Sequence, residues 1–130
     1  MNPEFVALPV TGTVADGLEA VETSEVPPEA VGVLYVTDGE GRLVGTLLLA
    51  GLLRAKRSTP LSEVIRTDPI ALPADADVHE IVRKMTDFNL AVVPVTDESG
   101  RMLGQITVDD VLELLLPTGW RRQYGMSAPD

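Results

Sequence analysis

The sequence contains no cysteine and only one histidine. Without cysteine the chain can form neither disulfide bonds nor thiolate metal sites. It also lacks a Gly-x-Ser-x-Gly string and a phosphate-loop string, and its carboxylates occupy positions that are typical of turns and helix caps. No set of nucleophile, base and oxyanion donor can be named. We therefore expect a protein that is not an enzyme.

Long apolar runs and basic residues are scarce as well. Apolar stretches such as 47–53 stay far below the roughly 20 residues that a membrane-spanning helix needs, and the first four residues lack the basic start of a signal peptide. The chain has 10 basic residues against 20 acidic ones, and its net charge of -10 opposes binding to nucleic-acid phosphates. We expect a cytoplasmic chain with no membrane span and no nucleic-acid partner.

What the sequence does contain is an internal repeat. Residues 36–45 return 59 positions later as 95–104, and residues 6–9 match 70–73 at an offset of 64. Two copies are too few for a solenoid, which needs about three or more repeats. A pair of units related by pseudo-two-fold symmetry, with a cleft for a ligand between them, fits better.

Each copy shows the same order of periodic segments. Helical spacing of apolar residues predicts helices over 13–24, 49–55, 77–87 and 108–116. Paired runs separated by a turn predict two hairpins, with strands at 31–36 and 42–48 in the first copy and at 91–96 and 101–106 in the second. A further strand is expected near 70–72, and the linker segment 60–65 is expected to form a short helix.

This order defines the predicted organisation of the chain. It comprises repeat 1 (1–57), a linker (58–66), repeat 2 (67–117) and a C-terminal tail (118–130). Two β-α-β-β-α units packed with pseudo-two-fold symmetry place the chain in the α/β (α+β) class.

The second copy carries the more specific motif. The string from Gly104 through Gln105, Ile106 and Thr107 to Asp110 follows the pattern Gly-x-x-Thr-x-x-Asp at the end of a hairpin. Together with the doubled plan, it resembles the cystathionine-β-synthase (CBS) domain over about residues 4–116. More narrowly, residues 4–9, 90–95 and 107–110 are similar to the tandem CBS pair, or Bateman module, in the cytosolic region of MgtE-type magnesium transporters or their soluble relatives.

The resemblance implies a regulatory, non-catalytic module on the cytoplasmic face of an attached or partner transporter domain. It implies one site for AMP, ATP or another adenosine ligand in repeat 2, built from Ile70, Ala91, Val92, Pro94, Gly104, Thr107 and Asp110. In repeat 1 the corresponding motif positions hold Leu48 and Gly51, whose side chains cannot hydrogen-bond a nucleotide. At most one nucleotide site per chain is therefore expected.

The motif residues also have other interpretations. Thr107, Asp109 and Asp110 are residue types that cap a helix and favour its dipole, an effect worth about 1 kcal/mol. Asp109, Asp110 and Glu113 fall within one turn of the last helix, where they are candidate ligands for Mg²⁺. His79 and Asn89 stand where the transporter pattern leads us to expect acids, which weakens the case for magnesium sensing.

A structural role is the alternative to ligand regulation. The second and fourth predicted helices carry apolar residues that one thin sheet layer cannot bury completely: Leu52, Leu53, Val111, Leu112 and Leu115. They predict a homodimer with a self-complementary interface. In this alternative the module chiefly dimerises, and its ligand pockets are vestigial.

Overall fold

A computed structural model describes residues 4–26 and 31–115 of the chain. Within these ranges the strands are β1 (Ala7–Pro9), β2 (Val33–Thr37), β3 (Leu43–Leu48), β4 (Leu72–Pro73), β5 (Val92–Thr96) and β6 (Met102–Thr107). The α-helices are α1 (Val14–Thr23), α2 (Leu49–Arg54), α3 (Val78–Asp87) and α4 (Val108–Leu115). The predicted tail, 118–130, lies outside the described residues. No helix in the described part is long and apolar enough to cross a membrane.

The two repeats have the same sheet topology. Strands β1, β2 and β3 form one sheet and β4, β5 and β6 the other; in each, the first pair is parallel and the second antiparallel. Both hairpins shift register at equivalent positions, after Val36 and after Val95. This confirms the predicted α/β class with two β-α-β-β-α units.

Each repeat buries a core of its own beneath its helices. In β2 and β5 every second side chain points into that core, because successive side chains of a strand face opposite sides. The first core contains Val6, Leu8, Val14, Leu34, Val36, Leu47, Leu52 and Leu61. The second contains Leu72, Ile81, Met85, Val93, Val95, Ile106 and Val111. The remaining strand positions are left for contacts between the repeats.

Helix α1 begins at a capping box formed by Thr13 and Asp16. The Thr13 N–H donates to Asp16 Oδ2 at 2.9 Å, and the Asp16 N–H donates to Thr13 Oγ1 at 3.4 Å. Two of the helix's otherwise unpaired donors are satisfied in this way.

The repeats are joined through their hairpin turns and the linker. Leu43 N–H donates to the Gly100 carbonyl at 2.8 Å and, in the symmetry-equivalent bond, Met102 N–H donates to the Gly41 carbonyl at 3.2 Å. Both glycines have a left-handed φ, 82° and 87°, which favours glycine at these turns. The pseudo-two-fold axis therefore runs between the two turns.

The linker crosses from one repeat to the other along the edge of β3. A short 3-10 helix at Leu61–Glu63 agrees with the predicted helical linker. Beyond it, Thr46 and Arg66 exchange two backbone hydrogen bonds of 2.9 Å. A Cβ on Gly45 would lie only 2.5 Å from the Arg66 carbonyl, so this glycine allows the close approach of the linker.

Candidate ligand cavity between the repeats

A cavity of about 180 Å³ lies between repeat 1, the linker and β5. Its walls are mostly apolar, and its lining residues are Val33, Thr46, Leu48, Arg66, Thr67, Asp68, Pro69, Ile70, Leu90, Val92 and Pro94. Most small-molecule sites occupy roughly 300–1,000 Å³. The cavity is thus suited to one flat group of a ligand, with the rest of the ligand outside.

The strands position the apolar walls of the cavity. Val33 and Leu48 are cross-strand partners at the open end of the first hairpin. Val92 and Pro94 alternate along β5 with residues of the second core, so they point toward repeat 1. The Leu48 side chain is 38% exposed because it borders the open cavity.

The linker supplies the charged edge of the cavity. Arg66, Thr67 and Asp68 are exposed at this edge. Among the described residues, the side chains of Arg66 and Asp68 have no ion-pair or hydrogen-bond partner. Asp68 has a φ of 58°, in the left-handed region that residues other than glycine seldom adopt. The Arg66 guanidinium and the Asp68 carboxylate, both unpaired among the described residues, therefore lie beside the apolar slot.

The position related to this cavity by the pseudo-symmetry is filled. The repeat offset of 59 positions relates Thr46 to Gln105 and Tyr35 to Pro94. Tyr35 and Gln105 are fully buried. The Tyr35 hydroxyl donates to Gln105 Oε1 at 2.8 Å, and Gln105 Nε2 donates to the Glu4 carbonyl at 3.1 Å. Burial raises the pKa of the Tyr35 phenol well above its ordinary value.

Phe5 completes the filled position. It corresponds to Pro69, which lines the open cavity. Its ring meets the edge of the Tyr35 ring, with the ring centroids 6.0 Å apart and the planes 85° from parallel. The sequence contains a signal for this asymmetry, because equivalent repeat positions hold side chains of unequal size. The prediction from the motif did not use that signal.

Comparison with known proteins places this architecture in a family. Residues 61–117 match the model of the CBS domain family. The magnesium transporter MgtE of Thermus thermophilus is 37% identical over 115 residues, which are 88% of this chain and 26% of that protein. The crystal structure of the cytosolic domain of the Mg²⁺ channel MgtE in complex with ATP superposes with a TM-score of 0.78 and 37% identity, covering 87% of this chain and 46% of that one. The chain is a tandem pair of CBS domains.

The CBS pair spans about a quarter of the length of the MgtE protein it matches. Its relatives also include an enzyme: inosine-5'-monophosphate dehydrogenase of Thermoplasma acidophilum is 26% identical over 95 residues, 73% of this chain and 19% of that protein. The predicted resemblance to the cytosolic CBS region of MgtE is confirmed.

The predicted nucleotide-binding residues of this CBS pair fall into two groups. Ile70, Val92 and Pro94 line the cavity, whereas Ala91, Gly104, Thr107 and Asp110 are not among its lining residues. The Ala91 carbonyl accepts the Val108 N–H at 2.9 Å, and Gly104 is buried in β6 opposite Val95. The structure thus separates the cavity residues from the motif.

The motif residues Thr107 and Asp110 form a second capping box. The Thr107 N–H donates to Asp110 Oδ2 at 2.9 Å, and the Asp110 N–H donates to Thr107 Oγ1 at 3.1 Å. This geometry is that of a helix start, the other interpretation of the motif given above. A ligand-binding role for these residues stays a prediction.

The proposed magnesium ligands do not gather around one point. In the described part of the chain, no group of three or more His, Asp or Glu side chains is placed to hold a metal ion, and Asp109, Asp110 and Glu113 lie within that part. One carboxylate oxygen of Asp110 is already bonded to the Thr107 N–H. Magnesium binding through these residues alone is not supported by their geometry.

The apolar residues from which a dimer interface was predicted differ in their burial. Leu52 and Val111 are buried in the cores of their own repeats, so they are not available for a dimer interface. Leu53, Leu112 and Leu115 are exposed to 68%, 41% and 56%. These three residues remain available at the surfaces of α2 and α4.

Proposed function

We propose that this CBS pair is a regulatory, non-catalytic module that binds one adenine nucleotide in the cavity between its repeats. The observation that carries the proposal is an apolar slot bordered by Arg66 and Asp68, whose side chains form no hydrogen bond or ion pair with another described residue. The crystal structure of the similar MgtE cytosolic domain in complex with ATP supports the choice of ligand.

The cavity lining assigns a role to each part of the nucleotide. The base occupies the slot between Val33, Ile70 and Val92, where burial of its flat faces favours binding. Arg66 pairs with the phosphate, since a guanidinium can donate two parallel hydrogen bonds to it. A free cation matters here because the net charge of -10 repels anions elsewhere.

Asp68 replaces the carboxylate that the first motif lacks. Repeat 1 has Gly51 at the position of the motif aspartate, so its helix offers nothing to the ribose hydroxyls. The Asp68 carboxylate, which accepts hydrogen bonds at both oxygens, stands on the opposite, linker edge of the same cavity. We assign it to the ribose.

The bound nucleotide regulates by contacting both repeats and the linker at once. The cavity is bordered by both repeats and the linker, so the ligand favours the arrangement in which all three contact it. We propose that this shift biases an attached or partner magnesium-transport domain on the cytoplasmic side of a membrane. Mg²⁺ enters the proposal only as the ion that domain carries.

Calorimetric titration with AMP and ATP tests the ligand assignment. We expect saturation at one nucleotide per chain. Arg66→Gln should weaken binding about tenfold or more, as loss of a charge-assisted hydrogen bond implies. Arg83→Gln, which removes an exposed arginine of α3, is the matched control and should leave the affinity unchanged. Absence of binding at millimolar nucleotide would refute the assignment.

A second candidate function, structural dimerisation, rests on the exposed leucines of α2 and α4. Leu53, Leu112 and Leu115 are large apolar side chains on helices whose other faces are already buried. We propose a homodimer through these helices. Sedimentation at tens of micromolar should show a dimer that Leu112→Glu converts to a monomer; a monomeric wild-type chain would contradict it.

A further inference from the structure

We infer that Tyr35 and Gln105 limit this CBS pair to one ligand per chain, because they occupy the space in which a second, symmetry-related ligand would sit. The inference rests on the proposed function for the identity of the ligand. The occupancy of the space itself rests on the buried contacts of the two side chains.

Three pairs of side chains are larger at the filled position than at the open one. Thr46, Pro69 and Pro94 line the open cavity. Their repeat equivalents at the filled position are Gln105, Phe5 and Tyr35, each of which is larger. Val33 and Val92 are equivalents of each other, so they contribute nothing to the difference. Because the backbone registers of the two hairpins correspond, side-chain volume accounts for the asymmetry.

The filling side chains hold one another in place. Tyr35 donates to Gln105, Gln105 donates to the Glu4 carbonyl, and Phe5 packs on the Tyr35 ring. No buried side-chain polar atom in the described residues lacks a hydrogen-bond partner. A ligand could enter only by displacing this group and leaving Gln105 without its tyrosine partner.

The altered motif lies beside the open cavity, and the intact motif corresponds to the filled position. Leu48, the altered motif residue of repeat 1, borders the open cavity. Thr107, its equivalent in the intact motif of repeat 2, belongs by the same pseudo-symmetry to the filled position, although its cross-strand partner Val92 also lines the open cavity. The intact motif therefore serves the start of α4, and it does not mark the accessible space.

Reciprocal variants test the inference. Tyr35→Ala with Gln105→Thr opens the filled position, and AMP titration should rise to two nucleotides per chain, the second binding more weakly because the sequence has Asn2 at the repeat equivalent of Arg66. Thr46→Gln with Pro94→Tyr transfers the filling residues to the open cavity, and AMP binding should be lost. Circular dichroism and urea unfolding check that both variants are folded. The second variant keeps the test available if the first does not fold.

Binding of p-cresol, the detached tyrosine side chain, separates this inference from the ligand assignment. It should raise the melting temperature of the opened variant in a saturable way and by more than that of the wild type, whose open cavity also admits a flat ring, whether or not AMP binds. A p-cresol effect on the folded opened variant no larger than that on the wild type would overturn the inference. So would two nucleotides on the wild type, or one nucleotide on an opened variant that binds p-cresol.

Discussion

The two sides of the interface between the repeats are built from hairpins of matching register, but one side is open and the other is filled by side chains. One side is a cavity of about 180 Å³ beside Leu48, and the other is filled by Tyr35, Gln105 and Phe5. By the symmetry that relates Leu48 to Thr107, the recognisable motif corresponds to the filled side. We propose that in this CBS pair the inward-facing residues of the strands determine where a ligand fits, while the motif at the start of α4 caps that helix.

The largest expected difference between the two sides is in stability. Tyr35→Ala removes a fully buried ring and should lower the free energy of unfolding by about 3–5 kcal/mol. Pro94→Ala, at the equivalent position of the cavity, removes only two carbons of a smaller buried side chain and should lower it by about 1–2 kcal/mol. Urea unfolding measures both. Equal losses would mean that the cavity side is packed as tightly as the filled side.

A smaller effect should come from the hydrogen bond alone. Tyr35→Phe keeps the ring but removes the hydrogen bond from the Tyr35 hydroxyl to Gln105 Oε1, which should cost about 1–3 kcal/mol. Urea unfolding measures this loss, and an unchanged free energy of unfolding would contradict the buried hydrogen bond.

The same variant has a predictable pH dependence. Burial raises the pKa of the Tyr35 phenol in the folded state, so the folded protein keeps the neutral form after the unfolded chain has begun to ionise. The contribution of Tyr35 is therefore complete below the unfolded pKa of about 10 and declines as pH rises above it. The stability gap between wild type and Tyr35→Phe should narrow between pH 9 and pH 11. A constant gap would contradict the burial of the phenol.

The two capping boxes provide a finer comparison. Asp16→Ala and Asp110→Ala each remove one member of an equivalent box and should each cost about 1 kcal/mol. We expect AMP affinity to stay within about twofold in both variants, a difference of roughly 0.4 kcal/mol. A loss of tenfold or more for Asp110→Ala alone would instead place the motif of repeat 2 at the ligand, as the sequence predicts.

The smallest expected effect is that of Mg²⁺. At net charge -10 any salt relieves self-repulsion, so stabilisation by magnesium has meaning only at matched ionic strength. With sodium chloride as the match, we expect no saturable rise in melting temperature at millimolar magnesium. A saturable rise that is absent in Asp110→Asn with Glu113→Gln would establish the acidic site on α4.

The order of elements could be predicted from sequence because its signals are local. Apolar periodicity and capping residues placed α1 and α3 within one or two residues of their ends, and the turns placed both hairpins. The filled position could not be predicted in this way, because Tyr35 and Gln105 are 70 positions apart and meet only when the repeats face each other. Periodicity also could not separate Leu52 and Val111, which face their own cores, from exposed leucines on the same short helices.

An AMP titration followed by methyl NMR tests the asymmetry most directly, because ring currents of the base shift only nearby methyl groups. We predict large, saturable shifts for Leu48 and Ile70, which line the cavity, and none for Thr107 on the filled side. The methyl signals of Val33 and Val92, which also line the cavity, should shift as well. Saturable shifts at Thr107 with none at Leu48 and Ile70 would contradict the account, since the ligand would then lie beside the intact motif.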